Sequence, residues 1–239
     1  MIKIGIIKKR LVAYIAGVLA AAAVIACAIV AFKGVQANKE YAKFTVVIDA
    51  GHGGIDNGVS GVNTGVAESE LNLAVAKLLK EDFLSAGFRV VLTRNTSAGL
   101  YGATHSSLKR TDMLNRKKII DAASPDVVIS IHMNNFPLAS RRGAQVFYKD
   151  NDEQSGKLAT LVQKGLNGLR DGEREFSSLS GDFYVLNVSP CPAVLVECGF
   201  LSNPQDEELL INEEYREKLS YTIFKGVIEY FTLEASYLG

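Results

Sequence analysis

The sequence predicts a single α/β domain with a mostly parallel, twisted sheet covered by helices on both faces, preceded by one N-terminal transmembrane or signal helix. Apolar strand-like runs alternate with amphipathic helical segments, which is typical of a parallel sheet buried on both faces. Leu11–Phe32 is an uncharged apolar run that follows Lys8, Lys9 and Arg10. At about 1.5 Å per residue this run spans roughly 33 Å, enough to cross a bilayer core. The basic flank favours a cytoplasmic N-terminus and export of the rest of the chain.

Two fates of this N-terminal segment stay open. A signal peptide has an apolar core of about 7–15 residues, so the longer run favours a retained membrane anchor. Val35-Gln36-Ala37 nevertheless offers the small residues of a cleavage-like site. The sequence therefore divides into residues 1–37, an anchor or signal segment with a short linker, and residues 38–239, a catalytic domain.

The charge of the exported part argues against a polyanionic partner. Five of the 26 basic residues and none of the 26 acidic ones precede residue 38, which leaves 21 basic against 26 acidic side chains. The resulting net charge near −5 lacks the basic surplus with which proteins hold nucleic acid. We therefore expect no nucleic-acid partner.

Six apolar runs are predicted as strands, each bounded by polar or turn-forming residues. The first leads directly into the glycine-rich turn Ala50–Gly54. The predicted strands are Phe44–Ile48, Arg89–Thr93, Val127–His132, Ala144–Tyr148, Asp182–Val188 and Ala193–Glu197.

Four further segments repeat apolar residues at helical spacing. In the first of them, Leu71, Val75 and Leu79 share one face, and Gly87 is the stop signal. The predicted helices are Glu68–Ala86, Leu108–Ala123, a segment marked by Leu158–Leu169 and a final one marked by Tyr215–Tyr230.

Polar side chains stand where three of the predicted strands end. His52 follows the first strand, His132 ends the third and Glu197 ends the last, while Glu68 begins the first helix. In parallel sheets the ligand site lies outside the carboxyl ends of the strands, so these groups are expected to meet. Two imidazoles and one carboxylate are the ligand set of a catalytic zinc. The favoured assignment is one Zn²⁺ per chain on His52, Glu68 and His132, with Glu197 as general base and acid.

Spacing alone leaves simpler interpretations open for these residues. A histidine at the rim of a sheet is often only hydrogen-bonded, and an acidic residue in the first turn of a helix, such as Glu68, is often a dipole partner. His105, in a loop with no strand before it, is interpreted as a surface residue.

The motifs around these residues resemble those of the zinc N-acetylmuramoyl-L-alanine amidases of the amidase-3 type. The resemblance runs in order from about Phe44 to Phe231 and rests on Val47–Gly54, Glu68–Leu73, Ser130–Asn134 and Val196–Asn203. It implies the same four roles for His52, Glu68, His132 and Glu197. The implied activity is hydrolysis of the amide bond between N-acetylmuramic acid and L-alanine in peptidoglycan.

Within that family, the chain is most similar to the germination-specific spore-cortex (CwlD-type) members. The similarity rests on one N-terminal apolar segment without wall-binding repeats, and on Ser180–Asn187 and Ser189–Ala193. It implies a role in cortex maturation before muramic-δ-lactam formation. It also implies an exported protein, anchored or secreted at the outer face of the cytoplasmic membrane in the forespore or intermembrane space of a spore former. A lipoprotein or another activator is the partner that such a protein is expected to have.

Three more residues are predicted to contact substrate. Asn134 is expected to donate or accept hydrogen bonds, and Arg94 and Arg116 are expected to pair with a carboxylate of the peptide stem. A structural ion pair is the alternative for each arginine. Two other functions also stay open, namely a zinc peptidase that cuts within peptide stems and a non-catalytic wall-binding module.

Overall fold

The computed structural model describes residues 41–102, 107–169 and 175–238, with side chains as far as residue 235. The predicted N-terminal helix and His105 lie outside these residues, and the division at residue 37 stays a prediction. Within the described ranges, every helix is too short or too polar to cross a bilayer.

The described residues contain one six-stranded sheet in the order β2-β1-β3-β6-β4-β5. All neighbouring strands are parallel except β4 and β6, which are antiparallel. The mostly parallel sheet is thus confirmed. The strands are β1 Thr45–Ala50, β2 Arg89–Leu92, β3 Val127–Asn134, β4 Gln145–Tyr148, β5 Leu179–Ser180 and β6 Ala193–Phe200.

The helices lie on both faces of the sheet, as predicted. Their bounds in the described residues are α1 Glu68–Ser85, α2 Leu108–Ala123, α3 Glu153–Asn167, α4 Tyr184–Val188, α5 Pro204–Ile211 and α6 Glu213–Leu238. The predicted bounds of α2 are those observed, and α5 was not predicted.

The strand predicted at Asp182–Val188 is wrong, because the chain forms the single helical turn α4 there. Val185 and Leu186 are adjacent and both buried, whereas a strand would send neighbouring side chains to opposite faces. The backbone N–H of Asn187 donates to the carbonyl of Phe183 at 3.0 Å, which closes the turn. Val185 and Leu186 are buried as the sequence suggested, but they are buried on one side of a helical turn rather than in a strand.

Two hydrophobic cores sandwich the sheet. Val46 and Ile48 of β1 belong to the larger core beneath α1, α3 and α6, and Val47 belongs to the smaller core. Ile120 of α2 and Leu186 of α4 complete the smaller core. Because both faces are covered, the carboxyl edge of the sheet is where polar side chains reach solvent.

The order of the strands brings the predicted site residues together. β3 lies between β1 and β6 and is parallel to both, so the carboxyl ends of all three meet at one edge. His132 of β3 and Glu197 of β6 are direct register partners. The fold therefore places these two side chains side by side, next to the loop that carries His52.

Candidate active site

The turn after β1 is shaped to hold two histidines close together. His52 adopts a left-handed backbone conformation with φ of 59°, which turns the chain sharply at the sheet edge. A Cβ atom at Gly51 would lie 2.8 Å from Cδ2 of the His132 ring and still closer to Cε1 and Nε2. Only glycine at position 51 leaves room for that ring.

Glu68 is fixed in place at the start of α1. Its side chain is buried, and its Oε2 accepts a hydrogen bond from the backbone N–H of Val59 at 3.0 Å. Its Oε1 accepts from the backbone N–H of Met133 and from Nδ2 of Asn72, both at 3.2 Å. These donors hold the carboxylate ionised and aimed at the two histidines.

The two imidazoles converge on one oxygen of Glu68. Nε2 of His52 lies 3.2 Å from Oε1 of Glu68, and Nδ1 of His132 lies 2.9 Å from the same oxygen. One ligand atom from each of the three residues falls within 4.8 Å of the others. Donors of a tetrahedral zinc at about 2.0–2.2 Å are roughly 3.3 Å apart, so the donor types and spacing fit that ion. The structure thus brings together the three residues that the sequence predicted as metal ligands.

The pKa values of His52 and Glu68 are set by the contacts between the imidazoles and the neighbouring carboxylates. Burial opposes charge on His52, but the contacts with Glu68 and Asp56 raise the pKa of its imidazole to about 9. Burial likewise opposes charge on Glu68, yet its hydrogen bonds with His132 and His52 hold its pKa well below the usual range. Oδ1 of Asp56 lies 2.9 Å from Nδ1 of His52, although at an angle outside hydrogen-bond geometry. Two adjacent carboxylates thus favour a positive charge where a cation would bind.

Glu197 lies beside the cluster without belonging to it. Its Oε2 is buried and has no hydrogen-bond partner among the residues that the structure describes. Burial raises the pKa of Glu197 to about 7, against the opposing charge of His132 and with the added repulsion of Glu68. A carboxyl group that exchanges its proton near neutral pH suits a general base and acid.

Arg116 supports the site from beneath. Its side chain is only 2% exposed, and Nη1 donates to Oδ1 of Asp49 at 2.6 Å while Nε donates to Oδ2 of Asp112 at 2.6 Å. Its Nη2 donates to the backbone carbonyl of His52 at 2.6 Å. This is the structural ion pair that the sequence left open, and it fastens the His52 turn to α2.

Arg94, two residues after β2, plays a similar part. It is 4% exposed, and its guanidinium donates to the carbonyls of Ala50, Gly51, Ser69 and Thr96 at 2.8–2.9 Å. These contacts join the turn after β1 to the start of α1. Substrate contact by either arginine stays a prediction, because the contacts described for both are with the protein.

The cluster opens into a cleft of about 500 Å³. Asn134 lines it, and its side-chain oxygen accepts a hydrogen bond from the backbone N–H of Asn135 at 2.8 Å; its contact with substrate stays a prediction. Lys109 and Met113 from α2 form part of its wall, and Tyr184 of α4 stands beside them. The cleft thus offers polar, cationic and aromatic contacts around the histidines.

Sequence reasoning missed the groups that hold the ligands in position. Asp49 accepts hydrogen bonds from Thr93 and Ser130 at 2.7 Å, and these and Arg116 lower its pKa to about 2 although burial opposes the charge. The sequence did offer a signal for Asp49, because a carboxylate directly after a fully apolar strand needs a partner. Asn72, one turn after Glu68, had no comparable signal because helices often carry asparagine.

The comparisons with known proteins agree with this geometry. The family described as N-acetylmuramoyl-L-alanine amidase (Amidase_3) matches residues 46–229. The germination-specific N-acetylmuramoyl-L-alanine amidase of Bacillus subtilis is 32% identical over 191 residues, covering 78% of this chain and 79% of the relative. The AmiA amidase of Escherichia coli is 31% identical over 240 residues, covering 82% and 79%.

A solved structure of similar fold is the CwlD amidase of Clostridioides difficile in complex with the GerS lipoprotein. It has a TM-score of 0.77 and 34% sequence identity, and the match covers 80% of this chain and 100% of that one. With the family match over most of the described domain, the chain belongs to the amidase-3 family of N-acetylmuramoyl-L-alanine amidases and is of the CwlD type.

Proposed function

We propose that the chain is a zinc-dependent N-acetylmuramoyl-L-alanine amidase. In this proposal His52, Glu68 and His132 hold one zinc ion, and Glu197 is the proton carrier. The observation that carries it is the convergence of the two imidazole nitrogens on Oε1 of Glu68, at 3.2 and 2.9 Å. The register pairing of Glu197 with His132 supports the catalytic role.

The protein groups divide the chemistry between them. When bound, zinc supplies Lewis acidity that makes water a nucleophile at neutral pH. Glu197 takes the proton of the attacking water and delivers it to the nitrogen of L-alanine as the amide bond breaks. Val59, Asn72 and Met133 hold Glu68 through their N–H groups, so the ligand geometry is fixed before substrate arrives.

The cellular role that we propose is maturation of spore cortex peptidoglycan, before muramic-δ-lactam formation. The germination-specific relative and the CwlD-type fold support this role. The proposal includes export through residues 1–37, as an anchor or a signal segment, to the space outside the cytoplasmic membrane. Because the CwlD relative is in complex with a lipoprotein, a lipoprotein partner is proposed for this chain too.

The test is digestion of purified peptidoglycan by the full chain in detergent, with added zinc or with a chelator. An amidase releases intact stems with a new amino-terminal L-alanine, which mass spectrometry identifies. A peptidase would instead release fragments cut within the stem. Zinc-loaded enzyme that leaves peptidoglycan intact, with and without a lipoprotein partner, would contradict the amidase and favour the wall-binding module.

A matched pair of variants tests the role of Glu197. We expect Glu197→Gln to lower the rate by about 10²–10⁴ while zinc still binds, because only proton transfer is removed. Glu70→Gln is the control, since Glu70 is an exposed acidic residue in the first turn of α1. Equal rates for the two variants would reject Glu197 as the proton carrier.

A further inference from the structure

We propose that Lys109 binds a free carboxylate on the peptide stem and makes the enzyme prefer stems whose second residue is not amidated. This inference rests on the proposed amidase function and specifies which stems the cleft takes. Lys109 lies in the first turn of α2 and lines the same cleft as His52, His132 and Glu197.

Lys109 is exposed, and among the described residues it has no ion pair or hydrogen bond. Lys117 of the same helix, in contrast, pairs with Asp121. The other cation that lines the cleft, Arg116, is buried and already donates to Asp49, Asp112 and two backbone carbonyls. In the described part of the cleft, Lys109 is therefore the cation that a ligand can reach.

The carboxylates that face Lys109 are engaged elsewhere. Asp56 lies 2.9 Å from Nδ1 of His52 and accepts a hydrogen bond from the backbone N–H of Gly58. Asp182 accepts from Nδ2 of Asn187 at 2.6 Å, and the first turn of α2 carries no acidic side chain. These contacts leave the ammonium group of Lys109 for a ligand.

The position of Lys109 relative to the site is also informative. Lys109 lines the cleft together with His52 and Asp56, which belong to the loop after β1. Its ammonium group can therefore reach a substrate group that lies beside the proposed metal ligands. The flexible four-carbon side chain of Lys109 lets the ammonium group reach a substrate group over a range of several ångströms.

The chemistry of the substrate supplies a matching group. In a peptide stem that begins with L-alanine and a γ-linked D-glutamate, the first carboxylate after the cut bond is the α-carboxylate of the second residue. An ammonium group binds a carboxylate through a hydrogen bond between opposite charges, whereas an amide in the same place offers only a neutral carbonyl oxygen as acceptor. Because Lys109 is exposed, we expect a preference of about fivefold rather than more.

The experiment uses the zinc-loaded full chain and two synthetic muropeptides. They differ only in the second residue, which carries either a free α-carboxylate or an α-amide. We expect the enzyme to cleave the free acid with about fivefold higher kcat/KM, mainly through a lower KM. Lys109→Gln should cleave both muropeptides equally, and Lys109→Arg should keep the preference.

Lys118→Gln is the matched control, since Lys118 is exposed, lies nine residues further along α2 on the opposite side, and contacts Asn115. It should keep the preference of the unaltered enzyme. An unaltered enzyme without preference, or a Lys109→Gln variant that keeps it, would overturn the inference and leave the amidase function standing. Failure to cleave either muropeptide, with and without a lipoprotein partner, would refute the proposed function and this inference with it.

Discussion

Removal of Arg116 should destabilise the fold, because Asp49 would stay buried without its counter-ion. The two side chains are each 2% exposed and lie 2.6 Å apart. The pKa of Asp49 falls from 3.8 to about 2, which corresponds to about 2 kcal/mol of preference for the ionised form in the folded state. Loss of one partner of a buried pair destabilises proteins by about 3–5 kcal/mol. We expect Arg116→Met to lower the free energy of unfolding by about 3 kcal/mol.

The assay is urea unfolding of residues 38–239 at pH 7 with a chelator present, so that bound metal adds nothing to stability. Asp49→Asn in the Arg116→Met background should regain part of the loss, because the uncompensated charge is then absent. Arg110→Met, on the same helix and exposed, is the control and should change stability by less than about 0.5 kcal/mol.

The same pair predicts a pH dependence with a definite sign. Because the folded pKa of Asp49 lies below its usual value, its stabilisation is fully present above about pH 4 and is lost as the pH falls through 2. Arg116→Met should lack this loss. A variant destabilised by less than about 1 kcal/mol, or effects of the two substitutions that simply add, would refute the coupling.

Three further predictions concern the metal cluster and the loop beside it. Gly51→Ala should weaken zinc binding and lower kcat/KM by about 100-fold, because the added Cβ displaces the His132 ring by roughly 1 Å; unchanged zinc affinity in a chelator competition would contradict this. Zinc affinity should rise about tenfold per pH unit up to pH 9, since His52 must lose its proton to bind; equal affinities at pH 6 and 8 would reject it. Glu207→Gln should lower the free energy of unfolding by about 2 kcal/mol, because the carboxylate of Glu207 accepts hydrogen bonds from the backbone N–H groups of Asn63 and Thr64. A loss under about 0.5 kcal/mol in urea unfolding would count against this role of Glu207.

The sequence was sufficient to predict that His52, His132 and Glu197 meet, because they lie at or just after strand ends. His132 and Glu197 each close an apolar run, and parallel strands carry such residues to one edge. Glu68 was harder, since acidic residues often begin helices; its place at the start of the first helix favoured a ligand, and the resemblance to a known motif supported it. The structure explains its orientation through the N–H groups of Val59 and Met133, which come from distant parts of the chain.

Other features depend on the path of the backbone. For Arg94 and Arg116 the sequence left substrate contact and a structural ion pair open, and only the folded turn shows that both side chains donate to backbone carbonyls. Helix α5 was not predicted, although the sequence carries the signals of a helix start. Asn203 caps the helix through hydrogen bonds from two backbone N–H groups, and Pro204 begins it. Because that helix was not predicted, the contact of Glu207 with the loop residues Asn63 and Thr64 was not predicted either.

The first described residues and the cleft lie at opposite ends of strand β1. Tyr41 stacks on Phe88 and Phe44 packs on Phe231, each with ring centroids 4.6 Å apart, where β1 begins. β1 then runs about 20 Å to the opposite edge of the sheet, where His52 follows it. If residues 1–37 attach the chain to a membrane, as proposed, the described domain begins at the edge of the sheet opposite its cleft. The two fates of that segment thus predict the same chemistry and differ in how far from the membrane the enzyme acts.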